Sequence, residues 1–496
     1  MAFLSEQAKL QGHSVFHAEC NGAVKECSQR LDRGVLGRRV ACLKCKLAGL
    51  SGYLGPAPDL LSEYNFSEDQ HQAEPSYGAI ATLSVMRGVG DLSELEQPLF
   101  RAQAAQLQSS MDALAKAARS WIKYRGLDAV FIYNGRIDLT NAVFSAARSL
   151  SVPVFSVERS WAGVGIQINA EGTPLDLRRY HEMVEYWSRF PLTRRQSEQA
   201  FSFVSNRFDK SSTGEFKQWN AAQAAGTGKK YSKFWVYLPS SIFERIGHPD
   251  WVSGWESDLS ALELLISEGV IPQDKLLVRG HPQWSELTPA TDEKYRRWCQ
   301  SQDITYLASI DKVSTQELIA VSEGVIVNGS STALEAGVMG KNIINLSPTF
   351  YEKGGFCVNL KSASDVKQFK NSVSWIESRE VTRKCLRSIY TINYRCMQLT
   401  SSIVALNAYD YLFSDIKNTN YFDRLVSEGQ VPSSDDSFSE SCDEEEEFIR
   451  YAQSSLSASL TESSSKLKNK NTSESLRQVR RKKRYFLIDL MDRSSR

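Results

Sequence analysis

The chain has 496 residues, 42% hydrophobic and 10% aromatic, with 59 Lys and Arg against 58 Asp and Glu for a formal charge of +1. That balance excludes nucleic-acid binding held by bulk charge, and no stretch approaches the roughly 20 apolar residues that span a bilayer. The first residues, MAFLSEQAKLQGHSV, show neither a basic n-region nor a long apolar core, so the expectation is a soluble cytoplasmic protein of two or three domains.

Four of the nine cysteines come early: Cys20, Cys27, Cys42 and Cys45, the last two in CLKC. Two thiol pairs within a short span are the donor set of a tetrahedral structural zinc. The first pair is spaced more loosely than usual, and the alternative is buried free thiols in a reducing compartment. The other cysteines are scattered and read as packing.

A long helical stretch, LFRAQAAQLQSSMDALAKAARSWIKYRG, leads into a strand-like run, DAVFIYN. LTNAVFSAARSL then has helical spacing and VPVFSVE is strand-like again, which makes a βαβ unit and implies a parallel sheet. The polar, Gly-containing stretch from Asn206 to Lys233 is the expected domain junction. Beyond it strands and helices alternate: FWVYLP, WESDLSALELLISEG, KLLVRG, DEKYRRWCQSQ, ITYLA, STQELIAVSE, GVIVN, STALEAGVMG, NIINL. Such alternation predicts a doubly wound α/β sheet. Helical segments at Ala363–Phe369 and Val381–Phe413 close the ordered region. The expected layout is therefore a first Rossmann-like domain over 1–220, a second over 230–415, and a low-complexity tail over 430–496. The tail is too polar to fold alone. It ends in LRQVRRKKRYFLIDLMDR, a basic run beside an apolar cluster that suits an anionic membrane surface or a partner groove.

Ligands of open α/β sheets sit beyond the carboxyl ends of the strands. Three such ends in the second half are polar. LPSSIFER carries Ser240 and Ser241, VRGHPQW carries Arg279, His281 and Pro282, and VNGSSTALEAG carries Asn328, Ser330, Ser331, Thr332 and Glu335. Arg279 offers a planar cation to phosphate. His281 can donate a hydrogen bond or a proton. The Ser330–Thr332 turn joins hydroxyls to the amides of a helix start, and Glu335 can accept from ribose hydroxyls. Each also has a plain reading, since Thr332 with Glu335 fits a capping box. Together they point to a nucleotide-phosphate site.

LLVRGHPQ followed by GVIVNGSSTALEAGVMGKNIINLSPTFYEKGG resembles the C-terminal half of bacterial capsule polysaccharide biosynthesis proteins, GT-B glycosyltransferases that include Kdo transferases. The pair is also similar to bacterial sialyl- and polysialyltransferases, which use CMP-sugars, and to CDP-glycerol glycerophosphotransferases. The resemblance implies donor binding by His281, Pro282, Ser330, Ser331 and Thr332, with Glu335 toward the ribose and Tyr351, Gly354 and Gly355 on a nearby loop. In the first half, FIYNGRIDLTNAVFSAARSLSVPVFSVERS resembles the same proteins more weakly and places Asn134, Arg136 and Glu158 at strand ends facing the cleft. The stretch from CNGAVKEC to CLKC is also similar to part of some of these proteins.

The implied activity is metal-independent transfer of a sugar from a nucleotide donor, CMP-linked by preference, to a polysaccharide or lipid-linked glycan. Arg279, His281 and the hydroxyl turn would stabilise the departing nucleotide, and no cofactor is required for catalysis. Glu158 is the first candidate for the base that deprotonates the acceptor, with Asp138 second, while Asn134 and Arg136 position the acceptor. The competing role for Glu158 is an ion pair with Arg159 or Arg136. His248-Pro249 is a second His-Pro pair, expected on a loop of the second domain. Two other assignments stay open: a CDP-alditol phosphotransferase sharing the donor site, and a non-catalytic nucleotide-binding protein of polysaccharide assembly or export. In the last, the tail recruits a complex at the inner membrane.

Overall fold

The apolar runs of the sequence become strands, most of them covered on both faces. The computed structural model describes residues 1–52, 57–67, 75–160, 162–208, 233–311, 313–372, 375–406, 411–418, 420–461 and 477–478.

In the first half the long helical stretch is α1 (Pro98–Arg125), with Pro at its first turn and Gly126 left-handed at its end. The βαβ unit follows as β1 (Val130–Tyr133), α2 (Asp138–Ser149) and β2 (Val154–Arg159). β1 and β2 are parallel, with Val130 opposite Val154. The sheet then changes direction. β3 (Ile166–Ala170) runs antiparallel to β2, and the short strand Met397–Gln398 runs antiparallel to β3. One side of this four-stranded sheet packs on α1 and α2 through Val130, Val154, Leu114, Ala118, Phe144 and Ala147. The other side, with Phe155, Val157 and Ile168, is covered by Leu4 and Ala8 from the start of the chain and by Tyr421, Phe422 and Leu425 near its end.

The expected junction lies outside the described residues except for its two edges, the end of helix α3 (Arg194–Phe208) and Lys233. The second half carries six parallel strands: β4 (Trp235–Leu238), β5 (Leu276–Arg279), β6 (Thr305–Leu307), β7 (Gly324–Val327), β8 (Asn342–Asn345) and β9 (Val358–Asn359). Their spatial order is β9-β8-β7-β4-β5-β6. Val236, Leu238, Leu277, Val325, Val327 and Ile343 face one core. Trp235, Tyr237, Leu276, Val278, Ile326 and Ile344 face another. Burial on both faces is why these strands read as continuous apolar runs rather than alternating ones. The fold is α/β, as the alternation predicts.

Two stretches depart from expectation. The helical segment placed over Val381–Phe413 ends early: α4 (Ser378–Tyr390) widens into one turn over Thr391–Arg395, and the chain leaves as strands. Arg395 is fully buried, donates to Asp435 O at 3.1 Å and Ser437 O at 2.7 Å, and stacks over the Trp187 ring at 4.0 Å. Leu399, directly after the strand Met397–Gln398, takes a left-handed φ of 57°.

The first part of the acidic tail is also not separate. Helix α5 (Asp443–Thr461) lays Phe448, Ile449 and Ala452 into the core beside Ala200 and Val204 of α3. Glu445, with no exposed surface, accepts from Arg387 Nε at 2.8 Å and Nη2 at 2.5 Å. A segment too polar to fold alone thus folds against a body that supplies its apolar and cationic partners. Apart from Arg477 and Gln478, the basic segment at the tail's end lies outside the described residues. Among the described residues no helix is long and apolar enough to cross a membrane.

Candidate functional site

The second sheet reverses its winding between β4 and β7, the position where open α/β sheets leave a crevice for a ligand. Asn328, at the end of β7, ties the two strand ends together. Its Oδ1 accepts from Ser240 N at 2.8 Å, and its Nδ2 donates to Asp258 Oδ2 at 2.5 Å. Asp258 Oδ2 also accepts from Tyr237 at 2.6 Å and Tyr295 at 3.2 Å. Asn328 is almost fully buried, so both of its amide groups are used where an unpaired one would be costly.

His281, following β5, meets Ser241, following β4. The Ser241 hydroxyl lies 3.2 Å from His281 Nδ1 and 2.5 Å from Gln283 Oε1. Gln283 N donates to the same Nδ1 at 3.3 Å, which makes Nδ1 an acceptor and leaves the proton on Nε2. Burial and the neighbouring Arg279 push the His281 pKa down to about 4, so the ring is neutral at pH 7. Pro282 starts the turn that brings Gln283 back.

Arg279 turns its guanidinium toward the loop after β6. Its guanidinium donates to Ala308 O and to Asp311 O at 2.8 Å, and it is almost wholly buried. It fastens the loop after β6. The cation beside the hydroxyl turn is Arg245, the last residue of LPSSIFER. A Cβ added to Gly329 would sit 2.5 Å from Arg245 Nη1, and Gly329 is left-handed at φ 76°. Arg245 donates to Ser347 at 3.2 Å and lies over Trp251 at 5.3 Å. Burial lowers its pKa, as it lowers that of Arg279.

The hydroxyl turn is internally braced. Ser330 Oγ accepts from Thr332 Oγ1 at 2.9 Å, and Tyr351, fully buried, donates to Ser330 O at 2.7 Å. The short helix Thr332–Val338 has Ser331 at its start with no side-chain cap. The capping box does not form: Glu335 is buried and its Oε2 accepts from Gln316 at 3.3 Å.

In the first half, Asn134 and Glu158 stand together at the ends of β1 and β2. Asn134 Nδ2 donates to Glu158 Oε2 at 2.9 Å, and Arg159 N donates to Oε1 at 3.1 Å. Asn134 has a φ of 62°, and its Oδ1 accepts from Arg136 N at 3.0 Å. Arg136 Nη1 reaches Glu244 O at 2.6 Å, inside the loop that follows β4. That loop packs Phe243 and Ile246 into the first half's core. Trp251 Nε1 donates to Leu175 O at 2.8 Å and Leu177 N to Asp250 Oδ2 at 2.8 Å. Hydrogen bonds thus link the Asn134–Arg136 turn, which holds Glu158, to the loop that follows Ser241.

Asp138 does not join them. It is buried, accepts from Ser28 N at 2.5 Å, and lines a cavity with the four early cysteines. His248 is buried at the contact between the halves, edge-on to Tyr77 at 5.2 Å, rather than on a loop of the second half alone. With Asp176 and Asp250 it forms the one group of three metal-capable side chains within 4.8 Å among the described residues.

No protein-family model and no curated protein matches the sequence. Among solved structures the chain is similar to two proteins of Thermosulfurimonas dismutans. One is the KpsC beta Kdo 2,4 transferase, at 14% identity and a TM-score of 0.34, covering 54% of this chain and 80% of that one. The other is the KpsC beta Kdo 2,7 transferase, at 12% and 0.34, covering 61% and 84%. It is also similar to the UDP-GlcNAc 2-epimerase of Methanocaldococcus jannaschii, at 10% and 0.25, covering 56% and 79%.

Proposed function

We propose that the chain is a glycosyltransferase that binds a nucleotide-linked sugar in the crevice between the ends of β4 and β7 and transfers the sugar to a glycan hydroxyl. The observation that carries this reading is the His281–Ser241 pair beside that crevice, with the Arg245 guanidinium against Gly329. A neutral imidazole with its proton on Nε2 donates to a phosphate oxygen without needing a charge of its own. Arg245 supplies the positive charge expected of Arg279, and the Ser330 hydroxyl, which accepts from Thr332, adds a donor. A departing nucleotide is stabilised by these groups as negative charge grows on it.

Glu158 is the proposed base. Asn134 fixes one carboxylate oxygen and the Arg159 amide the other, which orients the group at the strand end. Arg136 then acts as a positioning residue for the bridge loop rather than as an acceptor ligand. A CMP-linked acidic sugar and a surface polysaccharide acceptor are the preferred pair, supported by the sequence resemblance of LLVRGHPQ and GVIVNGSSTALEAG.

The test is titration calorimetry of the full chain with CMP, UDP, GDP and CDP-glycerol, followed by product analysis with the corresponding sugars. The reading expects binding of at least one nucleotide, lost in His281→Ala, and sugar transfer lost in Glu158→Gln. Release of CMP with transfer of glycerol phosphate would replace it with the phosphotransferase assignment. Absence of nucleotide binding would refute both.

A further inference from the structure

The helix Val35–Gly52 reverses the usual polarity of a surface helix. Toward the body it turns small residues: Ala41 is buried, and Cys42, Cys45 and Gly49 line a cavity. Its large apolar residues face outward. Val35 and Leu36 are 74% and 76% exposed, Leu43 is 51% exposed and Leu47 43%. Spacings of seven and four residues put Leu36, Leu43 and Leu47 within about 40° of one another around the helix, so they form one stripe. Single exposed leucines are ordinary on a protein surface, whereas a stripe at helical spacing is an apolar face.

Charge on this helix has one sign. It carries Arg38, Arg39, Lys44 and Lys46 and no acidic or aromatic residue. Arg38 lies on the inward side and pairs with Glu26 at 2.7 Å. Arg39 and Lys46, both exposed, run along one side of the leucine stripe, and Lys44 stands on the other.

That pattern matches an anionic bilayer surface better than a protein partner. The centre of a protein interface is enriched in aromatic residues and depleted in lysine. Here aliphatic side chains are rimmed by long cations. An interfacial helix sinks such a face about 5–10 Å into the boundary between headgroups and acyl chains, while Lys and Arg at its edges extend back to the lipid phosphates. The helix has 18 residues, which at the α-helical rise makes a contact about 27 Å long.

We propose that the helix Val35–Gly52 seats the folded body on an anionic membrane surface, with Leu36, Leu43 and Leu47 in the lipid boundary and Arg39, Lys44 and Lys46 at lipid phosphates. This contact belongs to the first half of the chain and works without the basic end of the tail. It is independent of which nucleotide the crevice takes.

The experiment is co-sedimentation of the full chain with vesicles of phosphatidylcholine alone and of phosphatidylcholine with phosphatidylglycerol, at low and high salt. Binding to the anionic vesicles, weakened by salt and nearly absent on the neutral ones, is the expected result. Leu43→Asp with Leu47→Asp, and separately Arg39→Gln with Lys46→Gln, should each weaken partitioning about tenfold or more. Melting temperatures should stay unchanged, because all four side chains are exposed. Leu43→Trp adds a fluorophore that brominated lipid should quench beyond the wild-type level, a depth reading that needs no loss of binding. No binding to anionic vesicles overturns the proposal. Binding that survives the leucine substitutions also overturns it and moves the membrane contact to another part of the chain. Self-association lost in Leu43→Asp with Leu47→Asp, without vesicle binding, would make the face a protein contact instead.

Discussion

Arg136 Nη1 donates to the carbonyl oxygen of Glu244 at 2.6 Å, joining a strand-end turn of the first half to the loop after the first strand of the second. Arg136 is 9% exposed, so the bond is largely shielded from water. Arg136→Ala should lower unfolding free energy by about 1.5–3 kcal/mol, the range for a hydrogen bond from a charged donor. Amide exchange over residues 242–248 should rise with it. Unchanged exchange in those amides would show that Phe243 and Ile246 hold the loop without help.

The two arginines near the crevice should separate by readout. Arg279 donates to two backbone carbonyls and lies in the fold, so Arg279→Met should lower stability by about 2 kcal/mol or more through the carbonyls left unpaired. Arg245→Gln should instead weaken nucleotide binding about tenfold to a hundredfold, the loss of one charge-assisted hydrogen bond. Melting curves and calorimetry on both proteins give the comparison. A reversed pattern would return the phosphate role to Arg279.

His281 gives an acid-dependent stability. Its folded pKa of about 4 lies below the ordinary value of 6.5, so between those two pH values the unfolded chain binds the extra proton. Stability contributed by the neutral ring is complete above pH 6.5 and is lost as pH falls toward 4, by about 3 kcal/mol in all. The difference between wild type and His281→Gln in urea unfolding should therefore change between pH 7 and pH 4.5. A difference constant with pH would mean that the ring titrates normally.

Glu445 tests whether the acidic segment belongs to the fold. Arg387 and Glu445 form a buried two-point pair, and Leu192 N adds a third hydrogen bond at 3.2 Å. Glu445→Ala should cost about 3–5 kcal/mol, because it strands a buried guanidinium. Truncation after residue 430 should do at least as much, since it also bares the apolar surface under Phe448 and Ile449. A truncated chain with an unchanged melting temperature would contradict the docking.

The second sheet was readable because parallel strands buried on both faces leave unbroken apolar runs with helices between them. IQINA does not read as a strand because it mixes in polar residues, Gln167 and Asn169, which are buried and donate to Pro174 O and Ser156 Oγ. Strand ends could be listed from the sequence, but side-chain direction could not. Arg279 and Arg245 look equally suited to phosphate in one dimension, and only the loop after β6 shows that the first is engaged elsewhere. Asp138 and Glu158 differ in the same way.

The strand Met397–Gln398 and the helix carrying Tyr421, Phe422 and Leu425 complete the first sheet from the far end of the chain. During synthesis, Phe155, Val157 and Ile168 leave the ribosome long before residues 397–428 exist to cover them. The first half therefore cannot mature as an independent nascent domain. It waits, with an apolar face open, until the second half has emerged, and the two should reach their native state as one cooperative unit.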